Sequence, residues 1–339
     1  MAAHRGGRPA DVLRQGPDDL AQGGADRIIG IRSCVTAVEH GHDEAKHLGD
    51  GEYQRRQTGA RARRAARWGS GRLLRQQANQ EADRPEPHLS SELESPLTTP
   101  AALTAAGGRR TEMDIVLIAG LWLDGSTVWD DVTAHLEARG HRCLPVTLPG
   151  QGDGNTSATL ADQAAGVIAA VDAAAGRPMV VGHSAACSLA WLAADARTGT
   201  ISKVTLIGGF PSPDGKAYFD AAQNGALSFP GWSEFEGPDS ADLDDATKQA
   251  IASAAIPVPE GVVRGVIRLT DERRYDIPVA LICPEFTPAQ ARQWIDHGQV
   301  PELAKSKNVS FLDIDSGHWP MISAPADLAR LLAQAAEES

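Results

Sequence analysis

Sulfur, aromatic rings and long apolar runs are all scarce in this chain of 339 residues. It has four cysteines, Cys34, Cys143, Cys187 and Cys283, widely spaced and without a Cys-x-x-Cys pair. That excludes a disulfide framework and the common zinc spacings; three of the four fall in apolar surroundings and are expected to pack as reduced thiols. No run of apolar residues is long enough for a membrane helix, and the opening Met-Ala-Ala-His-Arg-Gly-Gly lacks the apolar core of a secretory signal. The expectation is a soluble cytoplasmic protein with no membrane partner.

Charge divides the chain in two. Residues 1–112 carry 17 Lys/Arg against 15 Asp/Glu, whereas residues 113–339 carry 15 against 29, so the net charge of −12 arises almost wholly from the second part. The first part is rich in Arg, Gly, Gln, Ala, His and Glu and has few apolar runs, so core burial cannot offset the entropy of ordering it. It is expected to be a low-complexity extension or a wrongly assigned start ahead of a complete domain beginning at Met113. Arg61, Arg63, Arg64, Arg67 and Arg72 form a basic stretch that suits a basic helix or contact with an acidic surface. Tyr53 and Trp68 are the only aromatics there, and no zinc-finger or basic-zipper spacing accompanies them, so no nucleic-acid partner is expected. His4, His40, His42, His47 and His88 are scattered without an ordered scaffold, and no metal is expected.

From Met113 the pattern is regular. Continuous apolar runs at 115–119, 143–148, 178–183, 204–207, 278–283 and 309–314 read as strands. Between the early ones lie helical segments: 129–137, with Val132, Leu136 and Trp129 turned inward, and a helix capped by Thr159 and running through Ala175. Strand and helix alternating at this spacing predict an α/β fold, a predominantly parallel central sheet flanked by helices, with strands buried on both faces. The core is expected over 113–209 and 276–336. Periodicity breaks at 210–275, where Phe219, Phe229, Trp232 and Phe235 sit among acidic residues and prolines, with a helix near 243–254. So long an excursion between strands is not a bare loop; it is expected to be a small cap. Gly150-Gln151-Gly152-Asp153-Gly154 lacks dinucleotide spacing and a phosphate-loop lysine, so it reads as a turn and no cofactor is expected.

The strand 178–183 ends in Gly182-His183-Ser184-Ala185-Ala186 and runs into an alanine-rich helix. A serine at such a turn projects its oxygen above the sheet, and the helix start offers backbone N–H groups to developing negative charge. Ser184 is therefore the candidate nucleophile, Ala185 N–H a candidate oxyanion donor, and Ala186 stands where a second glycine is usual. A serine hydroxyl needs a base. His318, in Ser316-Gly317-His318-Trp319-Pro320-Met321 after the last strand, is the candidate; His183, adjacent to the serine, points elsewhere and reads as packing or a supporting hydrogen bonder.

Together with Gly120-Leu121-Trp122 after the first strand, these motifs in this order resemble the α/β-hydrolase superfamily, specifically a small-cap serine esterase, over residues 114–335. The resemblance implies that Leu121 N–H is the second oxyanion donor. It also implies a carboxylate partner for His318 shortly after strand 279–283. Glu285 is the first carboxylate there, although the usual register falls on Thr287, and Asp214 offers the alternative position after the preceding strand. Trp122, Trp232, Phe235, Trp319 and Met321 are candidate pocket residues, with a small apolar or aromatic acyl substrate as the expected partner; dimerisation stays open. The implied activity is hydrolysis of carboxyl esters through an acyl-enzyme. Amidase or carbamate hydrolysis at the same site, hydroxynitrile-lyase-like chemistry using a lysine such as Lys248, and a non-enzymic ligand receptor are the alternatives.

Overall fold

The computed structural model describes residues 112–220 and 225–338. The expectations for the leading segment, including its basic stretch, its histidines and Cys34, lie outside the described residues.

Six strands form one parallel sheet: β1 (Asp114–Ile118), β2 (Arg142–Val146), β3 (Met179–His183), β4 (Lys203–Ile207), β5 (Val279–Cys283) and β6 (Val309–Asp313), in the order β2-β1-β3-β4-β5-β6. β1, β3, β4 and β5 are buried along their whole length, as their continuous apolar character requires of strands covered on both faces. β2 and β6 depart from that expectation: they are the two sheet edges and keep partly exposed residues. Edge position leaves their outer side open, and Arg292 covers part of it by stacking its guanidinium 4.4 Å from the Phe311 ring centroid.

The register aligns the carboxyl ends of the strands. Ile118 pairs with Gly182, His183 with Ile207, and Cys283 with Asp313. Residues just beyond β1, β3, β4, β5 and β6 therefore emerge along one rim, the edge at which open α/β sheets bind ligands.

Helices cover the faces: α1 (Asp130–Glu137), α2 (Leu160–Ala173) and α3 (Cys187–Ala196) in the first half. Trp129, Val132 and Leu136 are fully buried, as expected. Thr159 and Asp162 close a reciprocal cap at the start of α2. α2 ends two residues before Ala175, whose N–H donates to the Asp114 carboxylate at 2.5 Å, tying the exit of the helix to the first strand.

Between β4 and β5 the chain leaves the sheet. Residues 215–219 lie antiparallel to 263–267, with Tyr218 N–H donating to Gly265 C=O at 2.7 Å, and Leu227 and Val258 exchange backbone bonds of 2.7 and 2.9 Å. The expected helix is α4 (Asp245–Ala254), capped by Asp244. α5 (Pro288–Asp296) follows β5, and the amphipathic α6 (Pro325–Glu337) closes the described chain against α1.

Cys143, Cys187 and Cys283 are buried thiols. Burial pushes Cys143 up to about 11 and raises Cys283 as well, so both remain protonated near neutrality. Among the described residues no helix is long and apolar enough to cross a membrane.

Candidate active site

Ser184 follows the last residue of β3 and is one of two described non-glycine residues with positive φ, at +55°. A side chain in that conformation costs about 1–2 kcal/mol and persists only where its surroundings impose it. The imposition is visible in the packing. A Cβ on Gly182 would lie 2.5 Å from the Ala186 carbonyl oxygen, and one on Gly209 would lie 2.5 Å from that of Ser184. Ala186 itself has φ −65° and ψ −7°, ordinary helical geometry, which is why alanine fits where the usual pattern has glycine.

Ser184 Oγ lies 2.9 Å from His318 Nε2, and His318 Nδ1 lies 2.9 Å from Glu285 Oε1. A carboxylate can only accept, so the neutral imidazole carries its proton on Nδ1 and its bare Nε2 accepts the serine hydroxyl. Burial by itself would lower the His318 pKa. The Glu285 carboxylate, by charge and hydrogen bond, and Asp239 reverse this, leaving it above its ordinary value. His183 is also buried; burial and the neighbouring His318 lower it to about 3. Its Nε2–H donates to the His318 carbonyl at 2.8 Å, so it supports the backbone of His318 and takes no part in the proton path.

Glu285 and Asp214 are thus separated. Asp214 is exposed and accepts the N–H of Leu269 at 2.9 Å, while both ring nitrogens of His318 bond to other residues. The cause is the path after β4: Ser212 N–H is drawn to Ser188 Oγ on α3 at 3.0 Å, and the chain continues along the surface. Asp214 as the carboxylate partner is therefore corrected. Thr287, where the usual register falls, is the N-cap of α5, closing a reciprocal cap with Gln290.

Beyond β1, Gly120 packs so closely that a Cβ there would lie 3.1 Å from Ser184 Cβ. This brings the backbone at Gly120, one residue before Leu121, against the serine. Trp122 is the second residue with positive φ, at +65°. Its indole N–H donates to Leu227 C=O at 3.1 Å and its carbonyl accepts from Ile256 N–H at 2.9 Å, both from the excursion.

Of the pocket candidates, Trp122, Trp232, Phe235 and Trp319 join one aromatic cluster with Phe219 and Phe229. Trp232 and Phe235 each lie 5.1 Å from Trp319, and Trp319 lies 4.9 Å from His318, ring centre to ring centre. Met321 stands apart: with Trp122 it lines an outer groove of about 470 Å³ against Ile251 and Ala254 of α4. Lys248 Nζ sits 5.7 Å from the Trp232 ring centroid.

Two features of the site were not read from the sequence. Gln151 is 1 % exposed and donates its amide to the carbonyls of Gly120, at 3.0 Å, and Leu123, at 3.4 Å. A polar residue between two glycines is a weak signal, and only its burial reveals that it braces the loop after β1. Gly208 makes room for the acid–imidazole pair: a Cβ there would sit 3.2 Å from Glu285 Oε2 and 3.3 Å from His318 Nδ1, at φ +58°. Gly208→Ala is expected to lower stability by about 1–2 kcal/mol through the left-handed backbone alone. It is also expected to shift the downfield proton resonance of the His318 Nδ1–H. Denaturant unfolding and proton NMR check the two parts.

The sequence profile of the alpha/beta hydrolase family matches residues 115–331. The chain belongs to this family. No curated protein matches the hydrolase's sequence. Among solved structures it is similar to an extracellular alpha/beta-hydrolase from a Paenibacillus species, at 20% identity and a TM-score of 0.53, covering 66% of this chain and 98% of that one. It is similar to a methylesterase from Arabidopsis, at 17% identity and 0.53, covering 67% and 100%. Polyneuridine aldehyde esterase is also similar, at 15% and 0.53, covering 66% and 99%. At these identities the likeness of the hydrolase to each of them is one of fold.

Proposed function

We propose that this hydrolase cleaves small apolar or aromatic carboxyl esters through an acyl-enzyme on Ser184. The observation that carries the reading is the unbroken chain Ser184–His318–Glu285, two hydrogen bonds of 2.9 Å along one strand rim. His318 removes the hydroxyl proton as Oγ bonds to the ester carbonyl carbon, and the carbonyl oxygen takes the negative charge. The backbone N–H groups of Ala185 and Leu121 receive that oxygen; one such donor is worth about 3 kcal/mol in the transition state. The protonated imidazole hands its proton to the departing alkoxide, releasing the alcohol. Water then repeats the sequence against the acyl-enzyme, giving the acid and free Ser184.

The excursion 210–275 acts as a cap, and its aromatic cluster beside His318 favours an apolar or ring-bearing acyl group. The names of the similar structures, a methylesterase and polyneuridine aldehyde esterase, agree with an ester substrate. Amides and carbamates suit the same geometry and belong in the same assay panel. A lyase reading gains no support from Lys248, whose ammonium lies over Trp232.

The test is a panel of short p-nitrophenyl esters, aryl amides and carbamates, with a fluorophosphonate adduct mapped by mass spectrometry. The expected result is ester turnover to acid and alcohol with a single adduct on Ser184. A folded protein that gives neither product nor adduct removes the proposal.

A pH profile follows from the electrostatics. The neutral imidazole is the active form, and Glu285 and Asp239 favour the charged one, while buried His183 stays neutral. kcat/KM for a neutral ester is therefore expected to rise with pH, with its inflection above about 6.5, the ordinary histidine value. Glu285→Gln removes the charge that holds the imidazolium and moves the inflection downward. A wild-type inflection below the ordinary value contradicts the assigned base.

A further inference from the structure

His318 sits in a turn, residues 315–318, that follows β6 and lies outside any regular element. The excursion supplies much of what holds it. Asp242 Oδ2 accepts the Gly317 N–H at 2.7 Å and the Ser316 hydroxyl at 3.3 Å, while the His318 N–H donates to Asp239 C=O at 2.8 Å.

The approach is close. A Cβ on Gly317 would lie 2.3 Å from Asp242 Oδ1 and 2.4 Å from the Asp239 carbonyl oxygen, so glycine is what allows the two segments to meet. The Asp239–Asp242 turn is itself fixed: Ser240, 2 % exposed, donates its hydroxyl to Phe235 C=O at 2.7 Å, and Ala241 N–H donates to Gly237 C=O at 3.0 Å. Phe235 in turn packs on Trp319, the neighbour of His318.

We propose that Asp242 is a positioning residue for His318, through which the segment between β4 and β5 sets the imidazole's alignment with Ser184. The carboxylate touches no reacting atom. It fixes the Ser316–Gly317 peptide, one residue before the histidine, while the Asp239 carbonyl holds the Gly317–His318 peptide through the His318 N–H; between them they set the origin of the imidazole side chain. Proton transfer needs the imidazole nitrogen within hydrogen-bond reach of the hydroxyl, and a displacement of about 1 Å costs on the order of 100-fold in rate. Covering the site and aligning its base are then two tasks of one segment.

The experiment compares Asp242→Ala and Asp242→Asn in the full chain. Asp242→Ala is expected to lower kcat for a short p-nitrophenyl ester by about 10- to 100-fold with KM nearly unchanged. It should also broaden or abolish the downfield resonance of the His318 Nδ1–H. Asp242→Asn keeps an oxygen acceptor for Gly317 N–H and is expected to restore both to near wild type. An alanine variant with wild-type kcat and an unchanged resonance overturns the proposal. So does a loss expressed in KM alone, or a variant that no longer folds, since the carboxylate would then serve substrate binding or the fold. The inference rests on His318 as the base proposed above, and the resonance needs no turnover. A folded wild type that cleaves no ester fails the functional proposal, while the resonance still decides the role of Asp242.

Discussion

Ser184→Ala is expected to lower ester turnover by about 10⁴-fold or more while the fold stays intact. The hydroxyl is the only group at this position that can bond to the acyl carbon, and its loss leaves His318 with no proton to take. What remains is rate enhancement from binding and from backbone donors alone. The variant retains a Cβ at φ +55°, so it keeps the backbone strain of the wild type. Ser184→Gly lacks the same hydroxyl but relaxes that strain, and it should be more stable than Ser184→Ala by about 1 kcal/mol or more. Steady-state kinetics and denaturant unfolding of the two variants separate the chemical role of the side chain from the cost of its conformation. Turnover by purified Ser184→Ala at the wild-type rate would remove this serine from the reaction.

Glu285→Gln is the second large effect, with an expected loss of about 10⁴-fold in kcat. Glu285 Oε1 accepts from His318 Nδ1 and thereby keeps the proton off Nε2, the nitrogen facing Ser184. An amide in its place can donate to Nδ1, which stabilises the tautomer with its proton on Nε2. It also removes the charge that stabilises the imidazolium formed during the reaction. Asp214→Asn is the matched control, because that carboxylate is exposed and bonded to Leu269 N–H. Its activity is expected within about twofold of wild type, as for surface substitutions generally. Equal losses in both variants would contradict the separation seen between the two carboxylates.

Much of this was legible before any coordinates. The strands could be read because parallel strands buried on both faces must be continuously apolar, and the β3–Ser184–α3 junction because small residues mark a turn too tight for others. Element ends moved by a residue or two: α2 stops two residues short of Ala175, whose N–H bonds to Asp114. Other features left no trace in local pattern. Gln151 reads as part of a turn, yet it is buried and bonded to the Gly120 carbonyl, and Gly208 and Gly317 each leave room for atoms of another segment. Their roles come from atoms contributed by segments far away in the chain. Thr287 and Glu285 lie two residues apart, and helix capping by the first leaves the second to face the histidine.

The residues 113–339 alone determined a parallel α/β sheet, a serine at a strand-to-helix turn and a histidine after the last strand, because periodicity and small-residue spacing are properties of neighbours in sequence. The tertiary structure alone decided which carboxylate meets His318, how closely the loop after β1 approaches Ser184, and that Asp239 and Asp242 grip the histidine turn. Those are distances between segments separated by tens of residues, fixed by strand register and by the route of the chain between β4 and β5, and no local pattern encodes them.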